Sequence, residues 1–75
     1  MNKPEAIYWG RIEDVEAEVG LFNVDPDWLQ QNRYTHVVKP VGADDWDAEF
    51  HTNRDAAQVG AREWGDYYEI PVHAL

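Results

Sequence analysis

The sequence contains no cysteine, which excludes a disulfide framework and a thiolate metal site. It contains no serine either, so both of the usual acyl-transfer nucleophiles are missing. Thr35 and Thr52 carry the remaining aliphatic hydroxyls, and neither is a free N-terminal residue. The five glycines, at 10, 20, 42, 60 and 65, are too scattered for a phosphate-cradling loop. No apolar run approaches the ~20 residues of a membrane helix. The opening segment Met1–Glu5 lacks the apolar core of a signal peptide. These absences lead to the expectation of a complete small soluble gene product in a reducing cytoplasm, without a cofactor and without catalytic activity.

Basic residues are also scarce. Six Lys and Arg stand against fifteen Asp and Glu, for a formal net charge of -9. Such a field repels nucleic acid and anionic membrane and attracts basic surfaces. Direct binding of nucleic acid or membrane is therefore not expected.

What is present is aromatic. Four Trp, four Tyr and two Phe occupy a chain of 75 residues. A chain this short buries only about 60% of its unfolded surface, so large rings are needed to stabilise it. The length allows one compact domain over 1–75, as a monomer or a homodimer. No repeat or linker divides it.

Residues 6–12 read as a first strand, rich in β-formers. Residues 13–21 fit two periods. Val15, Ala17, Val19 and Leu21 alternate as in a strand, while Ile12, Val15 and Val19 have helical spacing. The expectation is a strand, closing an opening hairpin. Asp25-Pro26-Asp27 starts a short helix at about 26–32, with Asp25 as cap and Pro26 in the first helical position. Residues 33–39 form a strand that Pro40 and Gly42 end.

Residues 46–51 form another strand, expected to pair with 34–39. Its alternation sends Trp46, Ala48 and Phe50 one way and Asp47, Glu49 and His51 the other. Asn53 caps the main helix, at about 54–64, whose small inner face is Ala57, Gly60, Ala61 and Trp64; Gly65 is placed to end it. A last strand over 67–72 carries Pro71 near its end. The expected fold is α+β: a small, mostly antiparallel sheet of three to five strands, with the main helix packed on it.

The acids fall in two clusters, Glu13, Asp14, Glu16 and Glu18, and Asp44, Asp45, Asp47 and Glu49. In a strand, residues at i, i+2 and i+4 share a face at about 6.6–6.8 Å intervals. Asp45, Asp47 and Glu49 would then form one row, and Asp14, Glu16 and Glu18 a second. Neither row includes a Lys or Arg. A line of like charges costs stability through self-repulsion and imitates the spaced anions of a nucleic-acid backbone. The bland alternative is the wet side of an amphipathic strand. Asp14, Glu16, Glu18, Asp44, Asp45, Asp47 and Glu49 are the candidate partner-binding residues. A metal site from His36, His51 and Asp47 or Glu49 is a weaker reading, because no two histidines have ligand spacing.

A short, cysteine-free chain with carboxylate rows at 13–18 and 44–49 resembles the small phage-encoded inhibitors of bacterial defence, the anti-CRISPR and anti-restriction proteins. The resemblance is one of composition and carries no motif. It implies an acidic inhibitor that mimics nucleic acid, acts in the host-cell cytoplasm, and occupies the basic groove of a nuclease or CRISPR surveillance complex. The alternative is a non-catalytic accessory subunit, antitoxin-like or a phage structural partner, that binds through an aromatic or apolar patch.

Overall fold

The computed structural model describes residues 3–22, 24–42 and 44–75; Met1, Asn2, Asn23 and Ala43 lie outside the described residues. In chain order the elements are β1 (Ala6–Arg11), α1 (Ile12–Val19), α2 (Pro26–Gln31), β2 (His36–Val41), β3 (Glu49–His51), α3 (Arg54–Tyr68) and β4 (Val72–Ala74). The four strands form one sheet in the order β3-β2-β1-β4. β1 and β3 both run antiparallel to β2, while β4 runs parallel to β1. The fold is thus α+β as expected, with a mixed sheet. The expected pairing of the strand near 46–51 with 34–39 is present, with His36 opposite His51 and Val37 opposite Phe50.

The two sides of the sheet are covered differently. Ile7, Trp9 and Val38 pack against Ala57 and Ala61 of α3, with Trp64 and Ile70 closing the cluster. Small residues on α3 let it lie close to the strands, so two large side chains can fill the space beneath it. Val37 points to the opposite side by strand alternation. There Val37 and Val15 of α1 are both fully buried.

Residues 12–19 are a helix, which corrects the expected strand over 13–21. Helical spacing of Ile12, Val15 and Val19 turns one face to the sheet. Glu13 and Asp14 in the first turn suit the positive end of the helix dipole. The alternation of Val15, Ala17, Val19 and Leu21 would leave one strand face bare.

Further boundaries shift, and β2 begins at His36 rather than at 33 and β3 at Glu49 rather than at 46. β2 runs through Pro40, which is fully buried. Ile7, opposite Pro40, sends its own N–H to the carbonyl of Pro71, the residue just before β4 (2.9 Å). The pair is therefore not hydrogen-bonded, and the missing Pro40 N–H faces the side where β3 has already ended. α3 continues past Gly65 to Tyr68 and ends at Glu69 in the left-handed region (φ 56, ψ 49). Gly65 serves packing: a Cβ there would lie 2.3 Å from Val72 Cγ2. The last strand accordingly begins at Val72 rather than at Tyr67.

Candidate functional site

Helix geometry redistributes the first acidic cluster. At 100° per residue, Asp14 and Glu18 stand one above the other, and Glu16 lies roughly on the far flank. Glu13, Asp14, Glu16 and Glu18 are all exposed. They fan around the outer surface of α1 instead of forming a straight row. Glu13 pairs with Arg11 (3.5 Å). Its carboxyl is held below the usual range chiefly by a backbone hydrogen bond, which outweighs the opposing effect of desolvation, with Arg11 adding to the lowering.

The second cluster divides. Asp44, Asp45 and Asp47 are exposed on the irregular connection before β3. Glu49 begins β3 and, opposite Val38, turns to the α3 side. One of its oxygens lies 2.8 Å from His51 Nε2, and the other accepts from Trp64 Nε1 at 3.3 Å. Gly60 makes room for this pair, since a Cβ there would lie 2.8 Å from the Glu49 oxygen and 3.1 Å from His51 Nε2. Glu49 is thus engaged on the α3 side by His51 and Trp64, though its side chain stays half exposed, and it does not stand in a row with Asp45 and Asp47. Trp46 and Phe50 part company as well. The Trp46 ring meets Tyr68 of α3 (6.0 Å), whereas Phe50 meets Trp28 edge-on (5.7 Å) and Tyr34 (5.9 Å).

The histidines that suggested a metal are engaged elsewhere. His36 is buried, and its Nδ1 lies 2.8 Å from Thr35 Oγ1. Burial, and after it Arg11 and Arg54, pushes its pKa down and favours the neutral ring. Among the described residues no group of three His, Asp or Glu side chains is arranged to hold a metal ion.

The feature that the sequence reading missed is on the α1–α2 side. A groove of about 630 Å³ opens there between Phe22, Trp28 and Phe50, with Asp45 and Asp47 along it and Lys39 in its floor. Lys39 is only 4% exposed. Its ammonium donates to the Trp46 carbonyl and lies 5.4 Å from the centre of the Phe22 ring. Burial pushes its pKa down, while Asp45 and Asp47 partly restore it. The signal was present in the sequence as a lone lysine inside the apolar run His36–Val41, and as Phe22 and Trp28 flanking Asp25 and Asp27.

Smaller cavities adjoin this groove. One of about 160 Å³ is bordered by Val19, Phe22, Asp44 and Asp45. Another of about 390 Å³ is bordered by Glu13, Glu16 and Val24, and Val24 also lines the groove. Glu13 and Glu16 of α1 thus line a cavity that shares Val24 with the groove, and Asp44 and Asp45 line one that shares Phe22 with it. The basic residues lining these three cavities are Arg11, paired with Glu13, and the buried Lys39. No family model matches the chain, and no curated protein or solved structure matches it.

Proposed function

We propose that this chain is an acidic protein-binding inhibitor that occupies the basic nucleic-acid-binding surface of a nuclease or CRISPR surveillance complex. The observation that supports the reading is that both acidic segments line cavities sharing a residue with one groove. Glu13 and Glu16 of α1, and Asp44, Asp45 and Asp47 before β3, border adjoining cavities. The basic residues that line those cavities, Arg11 and Lys39, are already engaged, by Glu13 and by the Trp46 carbonyl. The unbalanced charge faces outward, where a basic surface would neutralise it.

The exposed rings beside those acids fit an interface in which aromatic anchors sit among polar groups. They also support the second reading, an accessory subunit that docks through an aromatic patch. The two differ in salt dependence and in competition with nucleic acid. The tagged chain is used to capture proteins from a lysate that contains nucleases and CRISPR complexes, with washes at low and then high salt. The inhibitor reading expects a basic nucleic-acid-binding protein that DNA or RNA displaces. It also expects the Asp44→Asn, Asp45→Asn, Asp47→Asn variant to lose capture by about tenfold or more while still folding. Capture indifferent to salt, nucleic acid and these substitutions would favour the accessory subunit and reject the mimic.

A further inference from the structure

The groove on the α1–α2 side combines two features that a small chain would normally avoid. Phe22 is 66% exposed and Trp28 is 43% exposed, so large apolar rings stand in water beside carboxylates. Trp28 packs against Tyr34 (5.2 Å) and Phe50 (5.7 Å). Asp27 and the helix-capping Asp25 adjoin Trp28 on α2, and Asp45 and Asp47 line the groove itself. The Lys39 ammonium is turned into the floor and covered by Phe22. The charge left facing the groove mouth is therefore negative.

We infer that this groove seats an arginine-bearing segment of the basic partner, with a guanidinium stacked on the Trp28 or Phe22 ring and paired with Asp45 or Asp47. The inference rests on the reading above that the partner is basic. Charge complementarity selects this occupant. An anionic ligand would meet Asp45 and Asp47 without a free cation. A second copy of the chain would bring its own charge of -9 to an acidic surface, at a cost in repulsion. Arginine is favoured over lysine because its guanidinium is planar, weakly hydrated, able to stack on a ring, and able to pair with a carboxylate through two parallel hydrogen bonds.

The test titrates the intact ¹⁵N-labelled chain with two capped peptides of equal length and charge, (Arg-Gly)4 and (Lys-Gly)4, at low salt. The arginine peptide should bind about fivefold more tightly. It should shift the Trp28 indole N–H and the amides of Phe22, Asp45 and Asp47. The Phe22→Leu, Trp28→Leu variant removes both rings and no charge. It should bring the two peptides to equal affinity and leave a weak, salt-sensitive binding. Asp45→Asn with Asp47→Asn should weaken both peptides, and this second variant serves if the first fails to fold. Equal affinity in the parent chain, or shifts confined to α1, would overturn the groove assignment and leave the basic-partner reading standing. Binding of neither peptide, together with no displacement by nucleic acid in the capture experiment, would overturn both.

Discussion

Glu16 and Glu18 stand in the last turn of α1, and no basic residue accompanies them there. The carboxyl end of a helix carries roughly half a negative charge, so each carboxylate near it costs about 0.3–1 kcal/mol at low ionic strength. Both side chains are exposed, and among the described residues neither has an ion-pair partner. Solvent screening places the cost at the lower end, about 0.5–1 kcal/mol for the pair. Exchanging both for glutamine keeps their size and removes the charge. The Glu16→Gln, Glu18→Gln variant should therefore be the more stable protein, with Tm raised by about 2–8 °C. If α1 faces a basic partner, the same variant should bind it less tightly.

The assay is a pair of thermal melts followed by circular dichroism, one near 10 mM salt and one at 1 M, beside a binding titration with the captured partner. At 1 M the screening length falls to about 3 Å, and most of the stability gain should vanish. Loss of stability at low salt would show that these carboxylates hold the helix through contacts, contrary to the electrostatic argument. A stabilised variant that binds as tightly as the parent would remove α1 from the interface. Gain of stability with loss of binding is the pattern expected when acids are kept for a partner at a cost to the fold.

Other outcomes follow from the packing and the buried bases. Gly65→Ala should gain about 1 kcal/mol from helix propensity but place a methyl 2.3 Å from Val72 Cγ2. Urea denaturation should show a loss in the parent chain and a gain in a Val72→Ala background, with a coupling of about 1–3 kcal/mol; equal effects in both would mean that β4 does not dock there. His36, buried and with its pKa below 6.5, binds fewer protons folded than unfolded. Its stabilising contribution is complete above pH 6.5 and declines as pH falls through the lowered folded value. The stability difference between parent and His36→Gln should narrow over that acidic interval, and a constant difference would count against the buried neutral ring. Lys39 likewise has a folded pKa below 10.5, so the destabilisation from burying its charge is complete below the folded value and is relieved as pH rises toward 10.5. Parent stability measured relative to Lys39→Met should rise across that window.

How much of this was legible depended on whether one residue had one role. Asn53 and Asp25 were read correctly as caps, because each side chain accepts from a backbone N–H of the first turn, Ala56 at 2.8 Å and Asp27 at 2.9 Å. Gly65 and Pro40 were misread, because a residue that commonly ends an element was placed here for a different reason. Gly65 admits Val72, and Pro40 sits where the neighbouring strand has stopped. The segment 13–21 was misread because alternation and helical spacing share Val15 and Val19. Only the burial of Val15 against the sheet separates them, and burial is a tertiary fact.

The acidic row at 45–49 failed for a related reason, and the failure refines the functional reading. Strand alternation requires pairing, and β3 supplies only three residues, so Asp45 and Asp47 lie outside it. Glu49 is inside, and β3 turns it toward His51 and Trp64. Carboxylates that looked equivalent in sequence therefore differ in cost. Glu49 is hydrogen-bonded and stabilises the α3 side. Asp44, Asp45 and Asp47, with Asp14, Glu16 and Glu18, have no ion-pair partner among the described residues and add to a net charge of -9. Phe22 and Trp28 are exposed beside Asp45 and Asp47, although burying either ring would stabilise so small a fold. Unneutralised acid and unburied rings are separate penalties, and adjacent placement lets one contact relieve both. A basic surface that also offers a planar or apolar group meets that description, whereas an entirely apolar partner would leave the acids desolvated and unpaired.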